Sequence, residues 1–213
     1  TLAVSSVPDT IPPRAQVQIP VEVTNLRASR DVAVLDFSYK HGAALVNAKL
    51  RLPIVLHKFL QPITLSPEDF FAHWKTWNVQ SLKVQEVVRG VKPLPIPEMA
   101  SLLLSLHLAD TPGLDTDPNN MVACATFFSG TTNSALGLVR VETDPQDRSQ
   151  LRLTVASGDQ NLTFELKEYI RGQLIDISRA RVAPPPAPRQ PQPLPAAPAT
   201  PHRHTRAAGG GYP

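Results

Sequence analysis

The sequence predicts an α+β chain. It begins with a partial antiparallel β-sandwich, represented by its last strands only. A subdomain of antiparallel sheet packed with helices follows, and then a disordered Pro-rich tail. Three observations carry this. Two stretches in the first fifty residues, Val17–Asn25 and Val32–Tyr39, have the period-two pattern of strands. A strongly capped aromatic helix follows at Ser66, and the chain then alternates between helix-length and strand-length apolar runs. After Ala183 the composition changes abruptly, and ten of the 23 prolines lie beyond it. The expected divisions are 1–51, 52–182 and 183–213.

The first strand is expected over Val17–Asn25, whose alternation is that of a half-buried strand, with Pro20 demoting it toward an edge or bulge. Val32–Tyr39 is the second, with Ala33, Leu35, Phe37 and Tyr39 on one face, and Leu45–Leu56 is the third. His41-Gly42 makes the turn between them. Three antiparallel strands with one buried face are thin, so they read as the end of a sandwich whose earlier strands are missing. The opening Thr1-Leu2-Ala3-Val4 fits a fragment of a longer chain. A further strand over Leu52–Pro62 leads onward.

Ser66–Trp77 is a helix with a strong start signal. Ser66 can accept an orphan backbone N–H, Pro67 fits the first helical position, and Glu68 and Asp69 face the positive end of the dipole. Phe70, Phe71, Trp74 and Trp77 follow within eight residues, at spacings that place them on adjoining stripes. Periodicity leaves two roles open to them, plugging a core or walling a surface pocket. A second helix is expected over Val79–Val91, broken by Lys92–Pro97, and the leucine run Met99–Leu108 reads as a central strand. Met121–Ser129, Ala135–Thr143 and Gln150–Ala156 are strands joined by hairpins. Asp159–Leu174 is a closing helix, with Leu162, Leu166, Tyr169, Ile170 and Leu174 as its apolar stripe.

Composition narrows the function. No apolar run has the length of a membrane span, and no signal-peptide pattern opens the chain, so membrane insertion is not expected. The single Cys124 excludes an internal disulfide and suits a reducing compartment; its apolar setting makes it an inert core residue. The net charge of +3 misleads. Arg179, Arg181, Arg189, Arg203 and Arg206 lie in an acid-free end, which leaves 16 Lys and Arg against 18 Asp and Glu for the rest. The folded part is therefore not basic, and nucleic acid is not an expected partner.

The catalytic and cofactor signals are nearly empty. The chain has no phosphate loop, nucleophile elbow or metal-ligand spacing, so neither a cofactor nor a metal is expected. His41, His57, His73 and His107 are scattered without an evident acid or nucleophile. Asp115 and Asp117 fit turn chemistry. Pro184–Arg189 has the form of an SH3-type ligand, though a plain unstructured tail explains it as well, and His202 and His204 flank Arg203 there. Asn161-Leu162-Thr163 matches a glycosylation acceptor in a chain without an export signal.

Five segments carry a specific resemblance: Lys58–Pro62, Asp69–Lys75, Asp117–Val122, Leu138–Glu142 and Leu151–Thr154. In order and spacing they resemble the C-terminal appendage, or ear, of alpha-adaptin, the large subunit of the plasma-membrane clathrin adaptor complex. The double Phe before Trp74 favours alpha-adaptin over the beta subunit. The resemblance runs from about Gln16 to Leu174. It implies a β-sandwich followed by a platform that binds Asp-Pro-Phe, Asp-Pro-Trp and Phe-x-Asp-x-Phe motifs of disordered endocytic accessory proteins.

Carried onto this sequence, Trp74 is the central aromatic, with Phe70 and Phe71 beside it. Arg140 and Glu142 lie on the neighbouring strand, and Arg152 is the second positive group. The implied role is a non-enzymatic interaction module, cytoplasmic and peripheral at plasma-membrane coated pits. Other adaptor subunits would be met through missing parts of the chain, and the clathrin coat indirectly. Two alternatives are the ear of another vesicle-coat subunit with a different motif preference, and a scaffold acting through the Pro-rich tail.

Overall fold

The structure is a computed structural model that describes residues 1–91, 94–129, 134–147 and 149–180. Contacts set Thr1–Val182 apart as one compact unit, and all that follows concerns it. The expected tail over 183–213, with its Pro-rich motif, His202 and His204, lies outside the described residues, as does most of the hairpin turn at 130–134.

In chain order the elements are β1 (Leu2–Val4), β2 (Val21–Val23), β3 (Val34–His41), β4 (Ala44–Arg51), a 3₁₀ turn (Leu56–Phe59), β5 (Leu60–Pro62), α1 (Pro67–Thr76), β6 (Lys83–Arg89), α2 (Ile96–Ser105), β7 (Ala109–Asp110), β8 (Met121–Phe128), β9 (Ser134–Thr143), β10 (Gln150–Ser157) and α3 (Gln160–Ala180). An antiparallel sheet in the order β5-β8-β9-β10-β6, with β7 added on β8, forms the middle layer. Residues 121, 123, 125, 139, 141, 151, 153 and 155 face α2 and α3 in the larger core. Val122, Cys124, Leu138 and Ala156, from the other face, pack with Phe70 of α1. The period-two alternation of the strands thus builds two cores, one on each side of a single sheet.

The N-terminal strands do not form one three-stranded sheet. β1 pairs with β2 and β3 pairs with β4, as separate two-stranded ladders. Only Val21–Val23 of the expected Val17–Asn25 strand is ladder-bonded, and it starts directly after Pro20, which has no N–H to give. The expected strand over Leu45–Leu56 stops at Arg51. Leu56–Phe59 then coils as a 3₁₀ turn, so just Leu60–Pro62 of the Leu52–Pro62 strand joins the sheet.

Two element types are exchanged. Val79–Val91, expected as a helix, contains β6 instead. Val84 and Val88 suit a strand as well as a helix, because an even spacing of four fits both periods. The deciding residue is Glu86 between them. It lies on the α3 side and holds Lys167 Nζ at 2.7 Å and Arg171 Nε at 2.8 Å. β-branched valines favour the strand, and Gly90, at φ +70°, ends it.

Met99–Leu108, expected as a strand, belongs to helix α2 and the turn after it. Met99, Leu102, Leu103 and Leu106 are buried at helical spacing while Leu104 is 62% exposed. Pro97 and Glu98 in the first turn are helix-start residues that the leucine run obscured.

The closing helix forms and runs past Leu174 to Ala180. Its stripe of Leu162, Leu166, Ile170 and Leu174 is fully buried. The N-terminal segment docks on it through Ala28, which is buried, and Arg30, which meets Glu165 at 2.7 Å and Glu168 at 3.6 Å.

Candidate functional site

The site is built around α1. Ser66 caps it in the manner its sequence dictates: Oγ accepts the Asp69 N–H at 3.1 Å and donates to the Asp69 carboxylate at 2.6 Å. That fixes the start of the helix and so the direction of each aromatic. Phe70 points into the sheet and is 2% exposed, while Phe71 points out and is 51% exposed. The two rings meet edge to face at 5.5 Å. Trp74, half-buried, stacks on Phe70 at 5.3 Å and 20°. Trp77, one turn on, stacks with His73 at 4.7 Å. Phe70 therefore plugs the core, Phe71 is exposed, and Trp74 packs half-buried against the same cluster.

Beside the helix, the same sheet face carries three rows set by strand register. Leu138, Ala156 and Lys83 make the first. Arg140, Thr154 and Gln85 make the second, and Glu142, Arg152 and Val87 the third. Leu138 and Ala156 lie in the core cluster with Phe70. The second and third rows leave Gln85, Val87 and Arg152 exposed.

Charge is concentrated there. Arg140 donates through Nε to Asp115 at 2.7 Å and meets Glu142 at 2.9 Å; Arg152 reaches the same Glu142 oxygen at 3.6 Å. Burial disfavours the Asp115 carboxylate. The Arg140 hydrogen bond, with those of the Asp117 backbone and the Asn120 side chain, outweighs burial and holds its pKa below the usual carboxylate range. A shallow cleft lined by Val87, Asn120, Glu142 and Arg152 continues from this chain of charges.

Of the six residues expected at the site, Arg140, Glu142 and Arg152 form one ion chain, and Phe70, Phe71 and Trp74 one aromatic group. Two neighbours escaped the sequence reading. Asp115 does make the expected turn bond, accepting the Asp117 N–H at 3.1 Å, but it is also the strong partner of Arg140. Lys83 stands with Nζ 4.1 Å from the Trp74 ring centre and donates to the Trp74 carbonyl at 2.7 Å. Burial lowers its pKa. With Val79–Val91 read as a helix, no spacing could bring Lys83 to Trp74. A period-two reading of that segment would have placed it on the face of Gln85 and Val87.

Away from this face, His57, His107 and Tyr169 form a second group of contacts. His57 Nδ1 and Tyr169 Oη are 2.5 Å apart, and His107 meets His57 edge-on at 5.2 Å. The cluster ties the 3₁₀ turn to α3 and the end of α2. Cys124 is fully buried, and burial pushes its thiol up to about 11. Among the described residues no cluster of His, Cys, Asp and Glu could hold a metal, and no helix is long and apolar enough to cross a membrane.

Comparison with known proteins identifies the family. Residues 58–174 match the family model described as Alpha adaptin AP2, C-terminal domain. The chain is 60% identical over 202 residues to the Arabidopsis thaliana protein named AP-2 complex subunit alpha-2, covering 92% of this chain and 20% of that protein. It is 59% identical to the Arabidopsis alpha-1 subunit, with 93% and 20% covered. It is also 32% identical to the Dictyostelium discoideum AP-2 complex subunit alpha-2, with 82% and 18% covered. The chain thus spans about a fifth of the length of these curated relatives. Adaptor appendage domains of this family are non-enzymatic protein-interaction modules. On the matched residues and these identities, the chain belongs to the alpha adaptin AP2 C-terminal domain family.

Proposed function

We propose that the face formed by α1 and the sheet binds short linear motifs of the Asp-Pro-Phe, Asp-Pro-Trp and Phe-x-Asp-x-Phe kinds. Residues 52–182 form the binding platform, and the bearers of the motifs are disordered accessory proteins of clathrin-mediated endocytosis. The observation that carries the reading is an exposed Phe71 and a half-buried Trp74 on the sheet face that bears the Arg140–Glu142–Arg152 ion chain. Phe71 and the outer part of Trp74 offer apolar area, and Phe70 beneath them is fixed by the core. The ligand's aromatic residue buries there, and an acidic residue of the motif meets a cation of this face by a charge-assisted hydrogen bond. Glu142 bridges the two arginines, 2.9 Å from Arg140 and 3.6 Å from Arg152.

A motif of a few residues buries little area and must be ordered on binding. The affinity is therefore expected to be on the order of micromolar or weaker. Several copies in one partner then act by avidity. In this reading the domain works in the cytoplasm, peripheral to the plasma membrane at coated pits. It contacts the clathrin coat indirectly and joins the other adaptor subunits through the parts of the protein beyond this chain.

Calorimetric titration with an Asp-Pro-Phe peptide tests the proposal. Weak, saturable binding is expected, with a loss of at least about tenfold in Trp74→Ala while circular dichroism stays native. Equal binding by Trp74→Ala, or none by the folded parent, would overturn it.

A further inference from the structure

We propose that Lys83 is the specificity-determining cation of this face: its ammonium takes the carboxylate that neighbours the ligand's aromatic residue. The inference rests on the motif-binding reading above. It comes from how unevenly the positive charges are compensated. Arg140 holds Asp115 at 2.7 Å and Glu142 at 2.9 Å, so two carboxylates already balance it. Arg152 shares Glu142 at 3.6 Å. Lys83 has neutral partners: the Trp74 carbonyl at 2.7 Å, the Asn78 side-chain oxygen at a long 3.5 Å, and the indole face at 4.1 Å. No carboxylate among the described residues lies within ion-pair distance of it. The lowered pKa of the ammonium fits a half-buried cation that lacks a counter-charge.

Register decides which cation a ligand acid can reach. Lys83 pairs with Ala156, four residues along β10 from Arg152. At about 3.3 Å per residue the two lie on the order of 13 Å apart along the strand. An aromatic residue seated against Trp74 with an acid one or two positions away spans only about 3–7 Å. That acid therefore lies nearer to Lys83 than to Arg152, which is better placed for an acid further along the motif. Lysine chemistry suits the task. The flexible four-carbon stem lets the ammonium leave the indole and follow the carboxylate, so that the ligand's ring takes its place.

The test compares an Asp-Pro-Phe peptide with its Asn-Pro-Phe counterpart against the full chain and its Lys83→Met and Lys83→Arg variants. The parent should prefer the Asp peptide. Lys83→Met should lose roughly tenfold for the Asp peptide and under about twofold for the Asn peptide, and Lys83→Arg should keep the preference. An undiminished preference in Lys83→Met would overturn the assignment. So would tighter binding by that variant, since the ammonium would then be an obstruction, and so would a preference abolished only by Arg152→Met. A parent that binds neither peptide fails at the earlier step, and the motif-binding reading falls together with this one.

Discussion

Phe70→Ala is expected to destabilise the domain by about 4 kcal/mol, whereas Phe71→Ala, one residue on, should cost under about 1 kcal/mol. The two side chains are adjacent and identical, but Phe70 is 2% exposed and Phe71 51%. Removing Phe70 empties the centre of the smaller core, where it packs with Val122, Cys124, Leu138 and Ala156. It also takes away the ring on which Trp74 stacks. A domain of this size has total stability of roughly 5–15 kcal/mol, so Phe70→Ala should remain folded but marginal. Urea unfolding checks this: the midpoint falls with little change in slope. A loss below about 1 kcal/mol for Phe70→Ala would mean that α1 is not anchored through this ring.

The second large effect is expected at Arg140. Arg140→Met keeps the aliphatic stem but removes the cation between Asp115 and Glu142, whose side chains are only 10% and 16% exposed. Two largely covered carboxylates then lack their partner, and a loss of about 2 kcal/mol is expected at neutral pH. The pH dependence has a definite sign. The folded-state pKa of Asp115 is depressed, so its contribution is complete above its unfolded pKa near about 4 and is lost as pH falls through the lower folded value. The difference between parent and Arg140→Met should therefore shrink on acidification from about pH 5 to pH 2. Unfolding free energies measured at both ends check it. A difference that stays constant, or grows in acid, would assign the cost to packing instead of charge.

These two sites show what the sequence makes legible. α1 was readable because its start signals are local: Ser66, Pro67 and Asp69 act within one turn, and the aromatic spacing follows from 3.6 residues per turn. α3 was readable for the same reason, through an apolar stripe long enough to be unambiguous. β6 and α2 were exchanged because valines at 84 and 88 and consecutive leucines fit either period. Each was decided by tertiary partners that no local pattern contains: Lys167 and Arg171 for Glu86, and the buried sheet face for Met99, Leu102 and Leu103. β2, β3 and β4 fall within segments expected as strands, but β1 (Leu2–Val4) was not expected, and the pairing was not legible, since alternation does not name a partner strand.

The same distinction governs the site. The aromatic and cationic residues were found from their type and their resemblance to a family. Periodicity could not separate Phe70 from Phe71, because both lie on the broad apolar side of a short helix. Asp115 looked complete as a turn residue, and its bond to Arg140 spans 25 positions. Lys83 was hidden by the wrong period for its segment. Its relation to Trp74 exists only because the strand returns past the end of α1.

The central claim is that this one face of the sheet, with α1, receives the motif. An amide and indole NMR titration of the full chain with the Asp-Pro-Phe peptide tests it most directly. The account predicts the largest shifts at Phe71–Thr76, Lys83–Val87 and the indole N–H of Trp74, with smaller changes at Arg140–Glu142. Saturable shifts confined to β3 and β4 or to residues beyond 182, with Trp74 and Lys83 unmoved, would contradict it.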